Sequence, residues 1–171
     1  NGTVSYYLVA KCEHKNEDGS YAFNEGGICK YCNSEFAASV SYTDGGSEKT
    51  ELVGDICDAF DKANEAGTAT VTLYKDIADS EIAHEINVTG NVTLALNGKT
   101  LGATDKANKI NICGSTLTMN GNGKVWSAIE ARTDSKLTIT NGEYYDVYAF
   151  SDSEVVILYG IIACLYVYGT G

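Results

Sequence analysis

Proline is absent from this chain of 171 residues, methionine and tryptophan occur once each, and Arg132 is the single arginine among 12 basic residues. Without proline, tight turns fall to the 18 glycines and to Asn-Gly or Asp-Gly pairs, which accept left-handed backbone at little cost. No cluster of Lys or Arg interrupts a net charge of -11, so a phosphate backbone is repelled. That excludes nucleic acid as a partner and disfavours an anionic membrane surface. No apolar run approaches the ~20 residues of a spanning helix, and no membrane insertion is expected. The chain opens on Asn, shows no signal peptide and closes on Gly169-Thr-Gly171, so a mature or excised segment of a longer protein is expected. What is present favours strands: 44% hydrophobic residues suffice for a core, and Thr, Val, Ile and 12 Tyr are strand formers.

Thr3 to Ala10 reads as a strand leading to Cys12. Lys15 to Gly27 is polar and loop-like, with at most a short hairpin around Tyr21 and Phe23, and it has no core of its own. Ser39 to Thr43 alternates, and Asp44-Gly45-Gly46 marks a hairpin turn with a return strand near Glu48 to Thr50. Leu52, Val53, Ile56, Ala59, Phe60 and Ala63 then recur at helical steps opposite Asp55, Asp58, Asp61 and Lys62. This pattern predicts one amphipathic helix from about Glu51 to Ala66. Cys57 lies near its apolar face and reads as a small buried thiol.

From Thr68 onward the chain reads as strands, and from about Val92 it repeats itself. Ser115 to Gly121, Ser135 to Gly142 and Ser153 to Gly160 carry one pattern, with 20 and then 18 residues between equivalent positions. Aligned, Leu117, Leu137 and Val155 form one column, and Met119, Ile139 and Ile157 the next. Ile129 and Val147 form a third, Ala131 and Ala149 a fourth, and Leu165 and Val167 continue these two. Residues two apart share a face of a strand, so these columns predict a continuous apolar stack inside the coils of a parallel β-helix. Glu130, Tyr148 and Tyr166 lie between them and must face outward. An open coil exposes both its interior and its strand edges, so the predicted helix is expected to plug the N-terminal end. At the other end Val155 to Leu165 is apolar on both alternating faces, and self-association through this last coil is one expectation.

The hairpin with its Thr-Asp-Gly turn, the helix, and the segments Val-Thr-Leu-Tyr-Lys-Asp-Ile77 and Ile-Asn-Val-Thr-Gly-Asn-Val-Thr-Leu94 together resemble a known family. They resemble the right-handed β-helix, pectate-lyase-like repeats of large surface or secreted proteins from anaerobic gut bacteria, over roughly Val40 to Tyr168. The resemblance implies an extracellular or cell-surface location, a right-handed coil and an adhesive or glycan-interacting role, with some relatives acting as polysaccharide lyases or hydrolases. The expected fold is mainly β: a right-handed parallel β-helix with one N-terminal capping α-helix and a small zinc-ribbon-like N-terminal subdomain. The expected divisions are 1–38 for the zinc-ribbon-like part, 39–67 for hairpin and capping helix, and 68–171 for the coils.

Cys12-Glu-His14 followed by Cys29-Lys-Tyr-Cys32 is the sharpest local signal. A Cys-x-x-Cys places two thiolates on one turn, and Cys-x-His supplies the other two corners of a tetrahedron that suits zinc. Four protein ligands leave no open position, so the site reads as structural, and metal binding would stabilise a segment short of apolar residues. Cys29 and Cys32 as a disulfide or a redox couple is the alternative. A redox motif would sit at a helix N-terminus after a strand, which is not predicted there. The pattern also resembles zinc-ribbon-like insertions near the start of bacterial surface repeats.

Other candidates carry weaker chemistry. His84 reads as a surface histidine, and Cys113 and Cys164 as isolated thiols. Asp134 and Asp152 are 18 residues apart and stack at one turn near Arg132, the one carboxylate pair that lyase- or hydrolase-like chemistry would have. Asp and Ser before a strand are also ordinary turn residues, and short turns leave little material to wall a catalytic groove, so catalysis is not expected. Tyr148 and Tyr166 share an outward column, with Trp126, Tyr144, Tyr145, Phe150 and Tyr168 nearby. Such faces stack on sugar rings, but aromatic ladders also stabilise sheets without any ligand. The expected role is a non-catalytic surface, adhesion or structural module whose partner is a glycan or a host or cell-surface protein. A glycan-binding unit or a polysaccharide-active β-helix is the alternative.

Overall fold

The computed structural model describes residues 12–24, 26–103 and 108–169; the strand expected at Thr3 to Ala10 lies outside them. Strands β1 (Ala38–Asp44) and β2 (Ser47–Val53) pair antiparallel across Gly45 and Gly46, both in left-handed backbone. The return strand is longer than expected. Leu52 and Val53, read from their spacing as the opening of the helix, instead pair with Ser39 and Ala38. Cross-strand hydrogen bonding carries the ladder to Gly54, and helix α1 spans Ile56–Ala66 rather than starting near Glu51. Asp55 sets the start: its carboxylate accepts the backbone N–H groups of Cys57 at 2.7 Å and Asp58 at 3.3 Å, two donors with no partner inside the helix. Gly67, in left-handed backbone, closes the other end by donating to the Asn64 carbonyl.

Beyond α1 the chain winds into a β-solenoid of about five turns, consistent with a parallel β-helix. The first coil holds β3 (Thr68–Leu73) and β4 (Ile86–Val88), with a short 3-10 turn at Asp79–Glu81 between them. The second holds β5 (Asn91–Ala95), β6 (Thr100–Leu101) and β7 (Lys109–Ile112), and the third β8 (Thr116–Asn120), β9 (Lys124–Val125) and β10 (Ala128–Ala131). The fourth has β11 (Lys136–Ile139) and β12 (Glu143–Ala149), and the fifth β13 (Glu154–Ile157) and β14 (Ile161–Val167). One sheet stacks β3, β5, β8, β11 and β13 in parallel, and the β1–β2 hairpin extends it past β3. The second bends: Glu143 and Tyr144 of β12 pair with β9, whereas Val147 to Ala149 pair with β10.

The pairing register reproduces the sequence columns. Leu117, Leu137 and Val155 are aligned, as are Met119, Ile139 and Ile157, Ile129, Val147 and Leu165, and Ala131, Ala149 and Val167. Leu117, Leu137, Ile129 and Val147 are fully buried, each side chain contributing roughly 1.5–3 kcal/mol by leaving water. Coils shorten along the stack: Val92 is aligned with Leu117 25 residues on, then Leu137 20 on and Val155 18 on. The turn before β9, β12 and β14 keeps glycine at positions 123, 142 and 160 because a Cβ there meets the coil before. At Gly123 it would overlap the Lys99 carbonyl oxygen and lie 2.6 Å from Leu96 Cβ.

The N-terminal end is covered. Ile56, Cys57, Ala59, Phe60 and Ala63 of α1 are buried, and the helix packs on β1, β3 and β4. Asn64 fastens it, donating to the Asn87 carbonyl at 2.7 Å and accepting from Thr89 N–H at 2.9 Å. At the opposite end Ile157, Leu158, Tyr159, Ile161, Leu165, Val167 and Tyr168 are all exposed. Among the described residues, no helix is long and apolar enough to cross a membrane.

Two glycines and the cap give a direct check. Gly123→Ala is expected to lower stability by about 1–3 kcal/mol through overpacking, while Gly54→Ala, where a Cβ meets nothing within 4 Å, changes it little. Phe60→Ala, at the centre of the cap, is expected to cost about 3–5 kcal/mol. Urea unfolding followed by circular dichroism measures all three.

Candidate metal centre

The segment ahead of β1 has little regular structure, but its turns are closed by backbone hydrogen bonds. Isolated antiparallel bridges join Lys15 to Tyr21, Phe23 to Cys29 and Ile28 to Glu35. Cys29 N–H donates to the Ser34 carbonyl at 2.8 Å, and Asn33 N–H to the Cys29 carbonyl at 2.9 Å. Those two bonds fold Cys29-Lys-Tyr-Cys32 into one turn, and Asn33, with φ 58°, reverses the chain after it. Gly27 is required just before: its φ is 72°, and a Cβ would overlap the Phe36 carbonyl oxygen.

These turns bring Cys12, His14, Cys29 and Cys32 together, one ligand atom from each lying within 4.8 Å of all the others. Cys12 Sγ and Cys29 Sγ are 3.7 Å apart, and Cys32 Sγ is 3.4 Å from His14 Nδ1. Ligands about 2.3 Å (sulfur) or 2.0–2.1 Å (nitrogen) from a tetrahedral centre stand about 3.8 Å apart for two sulfurs and 3.6 Å for a sulfur and a nitrogen, so this donor set is spaced for a metal ion. A disulfide needs about 2.05 Å, and no described cysteine is bonded to another. The His14 N–H points at Cys12 Sγ, 3.4 Å away, a donor suited to a thiolate. Ser34 holds the Cys32 thiol down to about 6, first through its hydroxyl, 3.3 Å from Sγ, and then through its backbone N–H. Cys29 is buried, Cys12 and His14 are half-buried and Cys32 is exposed.

An aromatic cluster docks this segment on the solenoid. Phe23 packs edge-on against Tyr74, at the end of β3, with ring centres 4.8 Å apart, and also touches Tyr21 and Phe36. Phe36 in turn meets the His14 ring edge-on at 4.9 Å. Lys75 adds ion pairs with Glu35 and, at 2.6 Å, with Glu81. Sequence reasoning found the four ligands but missed this dock. The alternation of Tyr21 and Phe23, the only aromatics of their loop, was the available signal.

The remaining candidates divide. Asp134 and Asp152 do stack, the Asp134 N–H donating to the Asp152 carbonyl at 3.0 Å, and both adopt left-handed backbone, with φ 54° and 63°. Gly114, with φ 58°, occupies the equivalent position one coil earlier. Arg132, beside them, is bound to Glu130 and lies 5.3 Å from the Phe150 ring centre. Tyr148 and Tyr166 stack face to face at 4.7 Å, as do Phe150 and Tyr168 at 5.1 Å, while Trp126 leans on Tyr145 at 5.5 Å as a separate pair. Tyr144, grouped by sequence with these aromatics, points inward instead: it is buried beneath Val125 and Ile162, and its hydroxyl donates to the Asn141 carbonyl at 2.7 Å. Burial pushes that phenol well above its ordinary range. Its residue number shifts face because β12 bends between Tyr144 and Val147. Glu130 faces outward as expected but is 5% exposed, covered by Lys109 at 2.7 Å and by Arg132. His84 is exposed, Cys57 is buried against the His84 carbonyl, and Cys113 and Cys164 fall in different columns.

No family model matches the chain, and searches of curated proteins and of solved structures returned no match.

Burial opposes ionisation of Glu130, yet its ion pairs with Lys109 and Arg132 prevail and hold the carboxyl below the usual range. A depressed folded-state value stabilises the protein above the unfolded value, about 4.3, and that contribution is lost as pH falls through the folded one. Glu130→Gln is therefore expected to cost about 1–3 kcal/mol at pH 7 and almost nothing near pH 3, measured by urea unfolding at both.

Proposed function

We propose that the chain is a non-catalytic interaction module of a secreted or surface-displayed protein, a right-handed β-helix whose N-terminal segment is a zinc-ribbon-like knuckle held by one structural zinc ion. The observation that carries this reading is the closed donor set: three sulfurs and an imidazole within 4.8 Å, which fill a tetrahedron and leave no position for a reacting water. Zinc suits three thiolates with a histidine, and its role would be to order residues whose own apolar content is small. The outer faces fit a scaffold. The Tyr148 and Phe150 rings spend their faces on Tyr166 and Tyr168, which stabilises adjacent coils and leaves mainly ring edges for solvent. That weighs against sugar stacking along this column. Arg132 and the Asp134–Asp152 turn likewise have structural duties, which weighs against lyase- or hydrolase-like chemistry.

Protein purified without chelator is expected to hold about one zinc per chain by elemental analysis, and Cys12→Ser or Cys32→Ser to hold far less. Removing the metal is expected to expose amides of residues 12–37 to hydrogen exchange while the solenoid keeps its strand signal, because the two cores are separate. Metal-free protein with Cys29 and Cys32 oxidised would sink the zinc reading. Specific binding of a glycan in a broad screen, lost on replacing Tyr148 and Tyr166, would favour the glycan-binding alternative.

A further inference from the structure

The fifth coil is where the structure leaves a surface without a cover. Its inward positions Ile157, Leu165 and Val167 are 40%, 48% and 72% exposed, whereas their counterparts one coil earlier, Ile139, Val147 and Ala149, are 0%, 0% and 8% exposed. The outward positions change as well. Thr138 is followed in its column by Val156, and Glu143 by Ile161, so the rim is apolar together with the cross-section. The outer edges of β13 and β14 end their sheets, and neither carries the Lys or Pro with which natural edge strands discourage pairing.

Charge and shape select the occupant. From Val155 to Gly169 no residue is charged, in a chain whose net charge is -11, so two such faces meet without opposing like charges. Stacking of this face on the other end of a second chain is unfavourable. That end is closed by α1, whose exposed side carries Asp58, Asp61 and Glu65, and the meeting would strip water from these carboxylates without supplying partners. The remaining arrangement is isologous. A two-fold axis through the bend of β14, between Ile162 and Leu165, sets β14 antiparallel to its copy and lays β13 over β13. Both edges then find partners in one contact, and the axis passes next to Cys164.

We propose that the fifth coil is a dimerisation face, on which a second copy of this chain docks end to end about a two-fold axis near Cys164. The dimer buries the inward residues that no further coil covers and continues the strand pairing of both sheets across the interface. It is closed, because each chain's other end is capped, so assembly stops at two. This inference is independent of the metal and would hold for the metal-free solenoid.

Sedimentation equilibrium of the whole chain at concentrations from ~1 to ~300 μM, with small-angle scattering, tests it. The expected result is a monomer–dimer equilibrium, the dimer having nearly twice the maximum dimension of the monomer. Ile161→Lys and Val167→Lys change exposed positions and are expected to weaken dimerisation at least about tenfold each, with an unchanged strand signal. Asp58→Lys, at the capped end, is expected to leave it unchanged. A short bismaleimide is expected to join two chains through Cys164 and to fail with Cys164→Ser. A monomer throughout the range, growth beyond dimers, weakening by Asp58→Lys, or indifference to the two lysine substitutions would each overturn the proposal.

Discussion

A single coil of this chain is too thin to enclose anything: its inward side chains are exposed above and below until another coil lies against it. Leu117 is fully buried because Val92 lies on one side of it and Leu137 on the other, and the backbone groups of its strand are satisfied by the same two neighbours. Burial and hydrogen bonding are thus supplied by one contact repeated along an axis. This is why coils of different length, from 25 residues down to 18, still align their inward columns, with the difference absorbed at the turns. It is also why glycine persists at 123, 142 and 160, where the turn of one coil presses on the backbone or side chains of the one before.

The same dependence makes the two ends the places where the fold needs something different. At the first coil the problem is solved internally, by a helix whose buried face substitutes for a missing coil and whose Asn64 takes up the backbone groups of Asn87 and Thr89. The metal-binding segment attaches near this end through Tyr74, so a cluster that has almost no core of its own rests on the best-buttressed part of the molecule. At the fifth coil no such element follows among the described residues. Apolar positions that would be interior in any other coil are surface there.

Side chains on the outside follow a second rule. Column neighbours about 4.8 Å apart along the axis interact directly, so like side chains stack and opposite charges pair. Tyr148 with Tyr166, Lys124 with Glu143 at 2.8 Å and Lys136 with Glu154 at 2.9 Å are all relations between adjacent coils. These exposed pairs contribute little singly, roughly 0–1 kcal/mol each, but all favour the register that the interior requires.

Much of this was legible in the residues, and the boundary of what was legible is physical. The inward columns, the turns at Asn97-Gly98 and Asp134, and the four ligands Cys12, His14, Cys29 and Cys32 are set by spacing within a few residues or by a repeat, and spacing is visible in a sequence. Leu52 and Val53 fitted a helical period and a strand equally well, and only pairing with Ser39 and Ala38 decided between them. Tyr144 turned inward because β12 bends where it leaves β9 for β10, a change of partner that no local pattern reports. Glu130 lies on the outward face yet is buried, because Lys109 comes from the preceding coil to cover it. By itself the sequence determined which residues repeat and which can hold a metal, since those depend on covalent neighbours. Only the tertiary structure decided which of them face water, dock Tyr74 or end a sheet, since those depend on contacts between residues twenty or more positions apart.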